Sequence, residues 1–208
     1  MCVKMKGHKT SYATRSALRG ASLIEVLVSI VIASIGLLAL AGVNAASMRY
    51  TKMSQYRATA TQLASDIGER MRANKGVPAS VGPPAVVATG FFAGDYDFTT
   101  NFAGQATTAT LPADPSDLCN TAALSCTAAQ IATLDLAQWR ILVRDQLPQG
   151  SAILKRDAAA VAMDVWVVWR DPAVADADDS PALATECPDD LSRESDLSVR
   201  CSYFRVNL

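Results

Sequence analysis

At 208 residues the chain has room for one soluble domain plus an anchor, and half of its residues are hydrophobic, a high share for a soluble protein. The formal net charge of −1 conceals an asymmetry: residues 1–20 hold Lys4, Lys6, Lys9, Arg15 and Arg19 with no acid, whereas the rest has fourteen basic residues against twenty acidic ones. An acidic body gives no reason to expect nucleic acid as a partner.

Residues 1–20 read as a polar, basic leader without periodicity. Behind it, GASLIEVLVSIVIASIGLLALAGVN (Gly20 to Asn44) is almost wholly apolar. Ser22 to Val43 reads as a membrane-spanning helix, because 22 residues rising ~1.5 Å each cover about 33 Å, close to a ~30 Å hydrocarbon core. A basic head before such a helix stays in the cytoplasm, and the remainder is exported. One acid, Glu25, sits near the head of the segment. A charge at the bilayer centre costs roughly 2.5–3.5 kcal/mol on insertion scales, so Glu25 calls for a charge partner. Gly36 and Gly42 weaken a helix in water and are commoner in membrane helices.

Past Asn44 the helix is expected to continue to about Lys75. Tyr56, Ala60, Leu63, Ile67 and Met71 recur at spacings of three and four, one apolar stripe suited to packing on a sheet. Asp66 and Arg70 form an i,i+4 pair, and Gly76 with Pro78 supplies the stop. Residues 77–117 are rich in Gly, Pro, Ala and Thr, with FFAGDYDF (Phe91–Phe98) as a short strand or a packed loop. Thr127 and Gln130 have the spacing of a capping box. The second helix should run to about Gln146, with Ile131, Leu134, Trp139, Leu142 and Val143 on its apolar faces, and end at Pro148 and Gly150.

Three strands complete the body: Ala152–Lys155, then Val161 to Arg170, then Val199–Val206. In the second, Val161, Met163, Val165, Val167 and Trp169 share one face at period two, with Asp164 and Arg170 on the other. The short turn Arg156–Ala160 makes the first two an antiparallel hairpin. Asp171–Ser198 is crowded with acids, including Asp176, Asp178, Asp179, Glu186, Asp189, Asp190, Glu194 and Asp196. It lacks the spacing of an EF-hand, so a solvated acidic loop is expected rather than a calcium site, and no metal ligand is assigned.

Of five cysteines, Cys2 lies in the leader. Cys119, Cys126, Cys187 and Cys201 follow the anchor and would meet an oxidising compartment. Four cysteines allow three pairings and the sequence does not choose among them; the two local pairs, Cys119–Cys126 and Cys187–Cys201, are the expectation adopted. His8 is the sole histidine. A mature chain without the leader has no Ser-His-Asp or Cys-His arrangement. It also has no CxxC and no glycine-rich phosphate loop after a strand. The chain is therefore expected not to be an enzyme and to need no cofactor.

A basic leader ending in Gly20, followed by a small residue and SLIEVLVSIVIASIGLLALAG, resembles the class III signal of type IV prepilins. The resemblance implies that a prepilin peptidase cuts after Gly20 on the cytoplasmic side and N-methylates Ala21. It also places the family's subunit-assembly acid on Glu25. Ala21 stands where the family usually has phenylalanine, and the leader is longer than in many major pilins. Cutting would free an α-amine with a pKa of about 8, mostly cationic at neutral pH, and the Glu25 carboxylate of one subunit could meet the amine of its neighbour. Such a buried pair fixes register.

TAAQIATLDLAQWRILVRDQLPQG and VWVVWRD are similar more specifically to PilV-type minor pilins. The resemblance implies an α+β pilin fold, with a long N-terminal helix whose second half packs on an antiparallel sheet beside a second helix and disulfide-closed loops. The implied organisation is a leader (1–20), a transmembrane and filament-core helix (21–45), its amphipathic continuation (46–76) and a periplasmic globular domain (77–208). The implied role is to prime pilus assembly in a tip complex supporting twitching motility and adhesion. Its partners would be other minor pilins, the major pilin and a tip adhesin. Three alternatives remain at this level: a type II secretion pseudopilin, a secretory signal peptide cut after Val43-Asn44-Ala45, and a single-pass anchor bearing a periplasmic enzyme or binding domain. An h-region of ~7–15 residues argues against the signal peptide, and an unpartnered Glu25 against the plain anchor.

Overall fold

The structure, a computed structural model, describes residues 22–102, 109–114, 118–119, 125–172, 186–191 and 196–208. Gly20, Ala21, Cys2, His8 and most of the acidic stretch lie outside the described residues.

Helix α1 spans Leu23–Ala73. The chain divides into two units between Ser47 and Met48. In the first, the large side chains from Leu23 to Val43 are exposed all around the helix. A helix apolar on every face belongs in a protein core or in a membrane. Its hydroxyls are absorbed locally: Ser29 Oγ donates to the Glu25 carbonyl and Ser34 Oγ to the Ile30 carbonyl, each at 2.7 Å. That back-bonding satisfies the hydroxyl donors of Ser29 and Ser34 within the helix.

In the second unit α1 turns amphipathic. Ala60, Leu63, Ala64, Ile67, Gly68 and Met71 are buried along it, the spacing of one stripe, with Tyr56 half-buried at its upper end. Arg70 Nε lies 3.1 Å from Asp66 Oδ2. The helix stops at Ala73, three residues before Gly76. Helix α2 spans Ala128–Gln146 and opens on a complete capping box. The Gln130 amide donates to Thr127 Oγ1 at 3.2 Å, and the Thr127 amide donates to Gln130 Oε1 at 2.9 Å.

Strands β1 (Ser151–Asp157), β2 (Ala162–Arg170) and β3 (Val199–Asn207) form one antiparallel sheet in that order. Ile153 faces Trp166 across the first pair, and Val168 faces Cys201 across the second. Val161, expected in β2, instead closes the hairpin with a φ of +50°, a conformation that a β-branched side chain rarely adopts. The turn therefore sits later than Arg156–Ala160. Its Ala160 amide donates to Asp157 Oδ1 at 3.1 Å.

The central strand is covered on both faces. Met163, Val165, Val167 and Trp169 pack with Leu63, Ile67, Met71 and Trp139 of the two helices. On the opposite face Val168 packs with Ile153, Phe102, Leu191, Val199 and the Cys187–Cys201 pair, against which Trp166 leans. Period two had assigned only one face to the core. The second face is apolar because the loop holding Cys187 and Leu191 lies over it. FFAGDYDF forms a short 3₁₀ turn over Gly90–Ala93 and a single bridge from Phe98 to Leu154 of β1. Gly90 is required there: its φ is +59°, and a Cβ would stand 2.4 Å from the Asn74 carbonyl oxygen. In α2, Ala132 and Ala137 are buried beside Trp139 and Val143, while Ile131, Leu134 and Leu142 are half-buried.

Candidate functional site

Among the sequence-derived site residues, Glu25 is described and lies in the first turn of α1. Its amide donates to the Ser22 carbonyl at 2.9 Å. Its side chain is exposed, and among the described residues no group bonds or pairs with the carboxylate. From Ser22 to Met48 it is the sole charged residue. The N-terminus of a helix favours an anion, since the first amides there lack intrahelical acceptors. Local structure therefore offsets part of the cost of Glu25 and leaves its oxygens open to a partner. The Gly20–Ala21 bond lies outside the described residues.

Among the described residues α1 is the helix long and apolar enough to cross a membrane. Length and composition alone do not separate a membrane anchor from other apolar helices. Residues 15–41 match the prokaryotic N-terminal methylation motif. The chain carries that motif. The match takes in Arg15, Arg19, Gly20, Ala21 and Glu25. It supports a type IV pilin-like or pseudopilin protein, a structural class, and an apolar N-terminal helix behind such a signal fits inner-membrane anchoring. The long helix, second helix, three-stranded antiparallel sheet and disulfides fit the pilin fold. No curated protein and no solved structure matches the chain.

The body holds its cysteines as two local pairs. Cys119 and Cys126 are bonded with Cα atoms 6.0 Å apart, and Cys187 and Cys201 with Cα atoms 5.2 Å apart. The first closes the loop that leads into the Thr127 cap. The second ties the approach to β3 onto the sheet.

A polar cluster that the sequence did not reveal joins α1, the aromatic turn and α2. The Tyr96 hydroxyl donates to Asp135 Oδ2 at 2.7 Å and accepts from Asn74 Nδ2 at 3.1 Å. Asn74 Nδ2 also donates to the Ala128 carbonyl at 2.7 Å, and Arg70 Nη1 reaches Asp135 Oδ1 at 3.3 Å. Burial, and then the hydrogen bond to Asp135, push the Tyr96 phenol well above its ordinary value. Nearby, Trp139 Nε1 donates to the Leu63 carbonyl at 2.8 Å. These groups satisfy one another and close the seam between the helices. Their sequence separations, from 22 to 76 residues, exceed anything that local spacing reports. Among the described residues no group of three His, Cys, Asp or Glu side chains is placed to hold a metal ion.

Proposed function

We propose that the protein is a minor pilin, a structural subunit that helps to start type IV pilus assembly and takes part in the tip complex. The observation that carries the reading is a carboxylate, Glu25, unpartnered among the described residues, in the first turn of an apolar helix inside the methylation motif. Prepilin peptidase cuts between Gly20 and Ala21 and methylates Ala21. Residues 1–20 are then the discarded leader, 21–45 the transmembrane and filament-core helix, 46–76 its continuation, and 77–208 the periplasmic domain. The new amine of one subunit receives the Glu25 carboxylate of the next. Each charge offsets the other's desolvation, and the pair sets axial register. Other minor pilins and the major pilin are met through the N-terminal helix, and a tip adhesin through the body. The chain carries no catalytic role and no cofactor. Pilus rather than type II secretion is favoured by the size of the exported domain and its second disulfide.

The test is the N-terminal mass of the membrane-extracted protein, read with shear fractionation of the cell surface. A methylated Ala21 start and recovery with sheared pili are expected. A start at Ala46 or an intact Met1 in a chain that enters fibres overturns the reading.

A further inference from the structure

Between Glu25 and Asp66 the chain has no acid, yet it carries Arg49, Lys52 and Arg57. Arg49 follows Val43, the last residue of the apolar stretch, by six residues. Within the second unit, Arg49, Lys52 and Tyr56 lie at spacings of three and four and so share a helix face. This face borders a cavity of about 300 Å³, lined among the described residues by Met48, Arg49, Lys52, Tyr56, Asp171 and Pro172. Arg49 and Lys52 are exposed, and among the described residues neither makes an ion pair or a hydrogen bond. The cavity thus combines two exposed cations with an apolar lining from Met48, Pro172 and the half-buried Tyr56 ring. Asp171 contributes the one acid of the lining and leaves its net charge positive.

We propose that this groove seats the headgroup of an anionic phospholipid from the outer leaflet of the inner membrane while the subunit waits to be assembled. The inference rests on the reading of residues 21–45 as the membrane-spanning segment. Three independent features select this occupant. Arginine and lysine lie within ten residues of the end of the apolar stretch, where long basic side chains extend to the headgroup level. Side chains on a helix lean toward its N-terminal end, here the side of the apolar stretch. Tyr50 is 71% exposed beside the cations, and tyrosine collects at the membrane–water interface because its ring is apolar and its hydroxyl wet. A lipid phosphate answers the two cations, and the start of an acyl chain answers the apolar lining. A free anion would have no use for that lining.

The experiment reconstitutes the full chain in phosphatidylcholine vesicles carrying trace spin-labelled phosphatidylglycerol or spin-labelled phosphatidylcholine. It compares the motionally restricted fraction of each label. The wild type is expected to hold phosphatidylglycerol in preference. Arg49→Gln with Lys52→Gln should lower that preference by about two- to fivefold per cation removed, as expected for basic side chains at an anionic surface. Arg49→Lys with Lys52→Arg should keep it. The leader cations contribute equally to all three chains, so the differences report the groove. Equal preference in wild type and the glutamine pair overturns the inference. So does loss of preference on adding inorganic phosphate at constant ionic strength, which marks a free-anion site. Weaker cross-linking between copies of the glutamine pair in pure phosphatidylcholine, with lipid preference intact, marks a subunit contact and also overturns it. A chain that inserts without headgroup preference sinks this inference alone, whereas one that fails to insert sinks the membrane reading with it.

Discussion

Tyr96 is fully buried, and its hydroxyl stands between a donor just past the end of α1, Asn74, and an acceptor on α2, Asp135. Replacing Tyr96 by phenylalanine keeps the ring and removes one hydrogen bond from each partner, while Asn74 keeps the Ala128 carbonyl and Asp135 keeps Arg70. A hydrogen bond contributes about 0.5–1.5 kcal/mol net, so the loss of two in Tyr96→Phe should lower unfolding free energy by about 1–3 kcal/mol in urea titrations followed by tryptophan fluorescence. The same residue shapes the alkaline limb. Its folded pKa is raised, first by burial and then by Asp135, so the native state holds the proton more firmly than the unfolded chain. That contribution is complete below the unfolded value of about 10 and is lost as pH rises toward the folded value. Stability of the wild type should fall from about pH 10 upward, and less steeply in Tyr96→Phe. A residual slope is expected from Tyr203, whose phenol the Asp164 hydrogen bond also holds up.

Among the elements, β3 depends most on a covalent tie. Cys201 lies within it, paired to Val168 of β2, and its sulfur joins Cys187 across a sequence separation of 14. Closing a loop of about 15 residues is worth roughly 3 kcal/mol in the chain-entropy model. Cys187→Ser with Cys201→Ser should cost about that much and expose the Val168, Leu191 and Val199 face. Loss of Trp166 fluorescence anisotropy on unfolding should then occur at lower urea. Elements of this kind were legible where one short-range rule decided them. The Thr127 cap, the α1 stripe and three strands follow from spacing alone. Val161 was misplaced because its strain is set by the Asp157 turn rather than by its β-branched preference. The second buried face of β2 was missed because its cover, the segment around Cys187, is polar in composition and meets the strand only through the fold. The Asn74–Tyr96–Asp135 cluster was invisible for the same reason, its members being far apart in the chain. The site behaved differently: Glu25 stood out because a single charge in an apolar run is a local anomaly, and the motif match covers it.

For the whole molecule, the reading separates two operations that different residues control. Under the proposed function, processing would need a small residue at position 20, and assembly would need the charge at position 25. Gly20→Leu should therefore accumulate a chain with its first twenty residues intact, seen as an unshifted mass in membrane extracts. Glu25→Ala should show the opposite pattern, a normal mature mass with little protein in the sheared pilus fraction. Removing the acid relieves its insertion cost, which is at most the roughly 2.5–3.5 kcal/mol of a charge at the bilayer centre, so the variant should anchor in the membrane at least as firmly as the wild type. Failure to assemble then cannot be assigned to failed insertion. Glu25→Gln refines the point: glutamine keeps the hydrogen-bonding shape and drops the charge, so a partner that is a cationic amine should reject it nearly as well as alanine. If Glu25→Gln enters fibres at the wild-type level, the carboxylate does not serve as one half of an ion pair between neighbouring subunits.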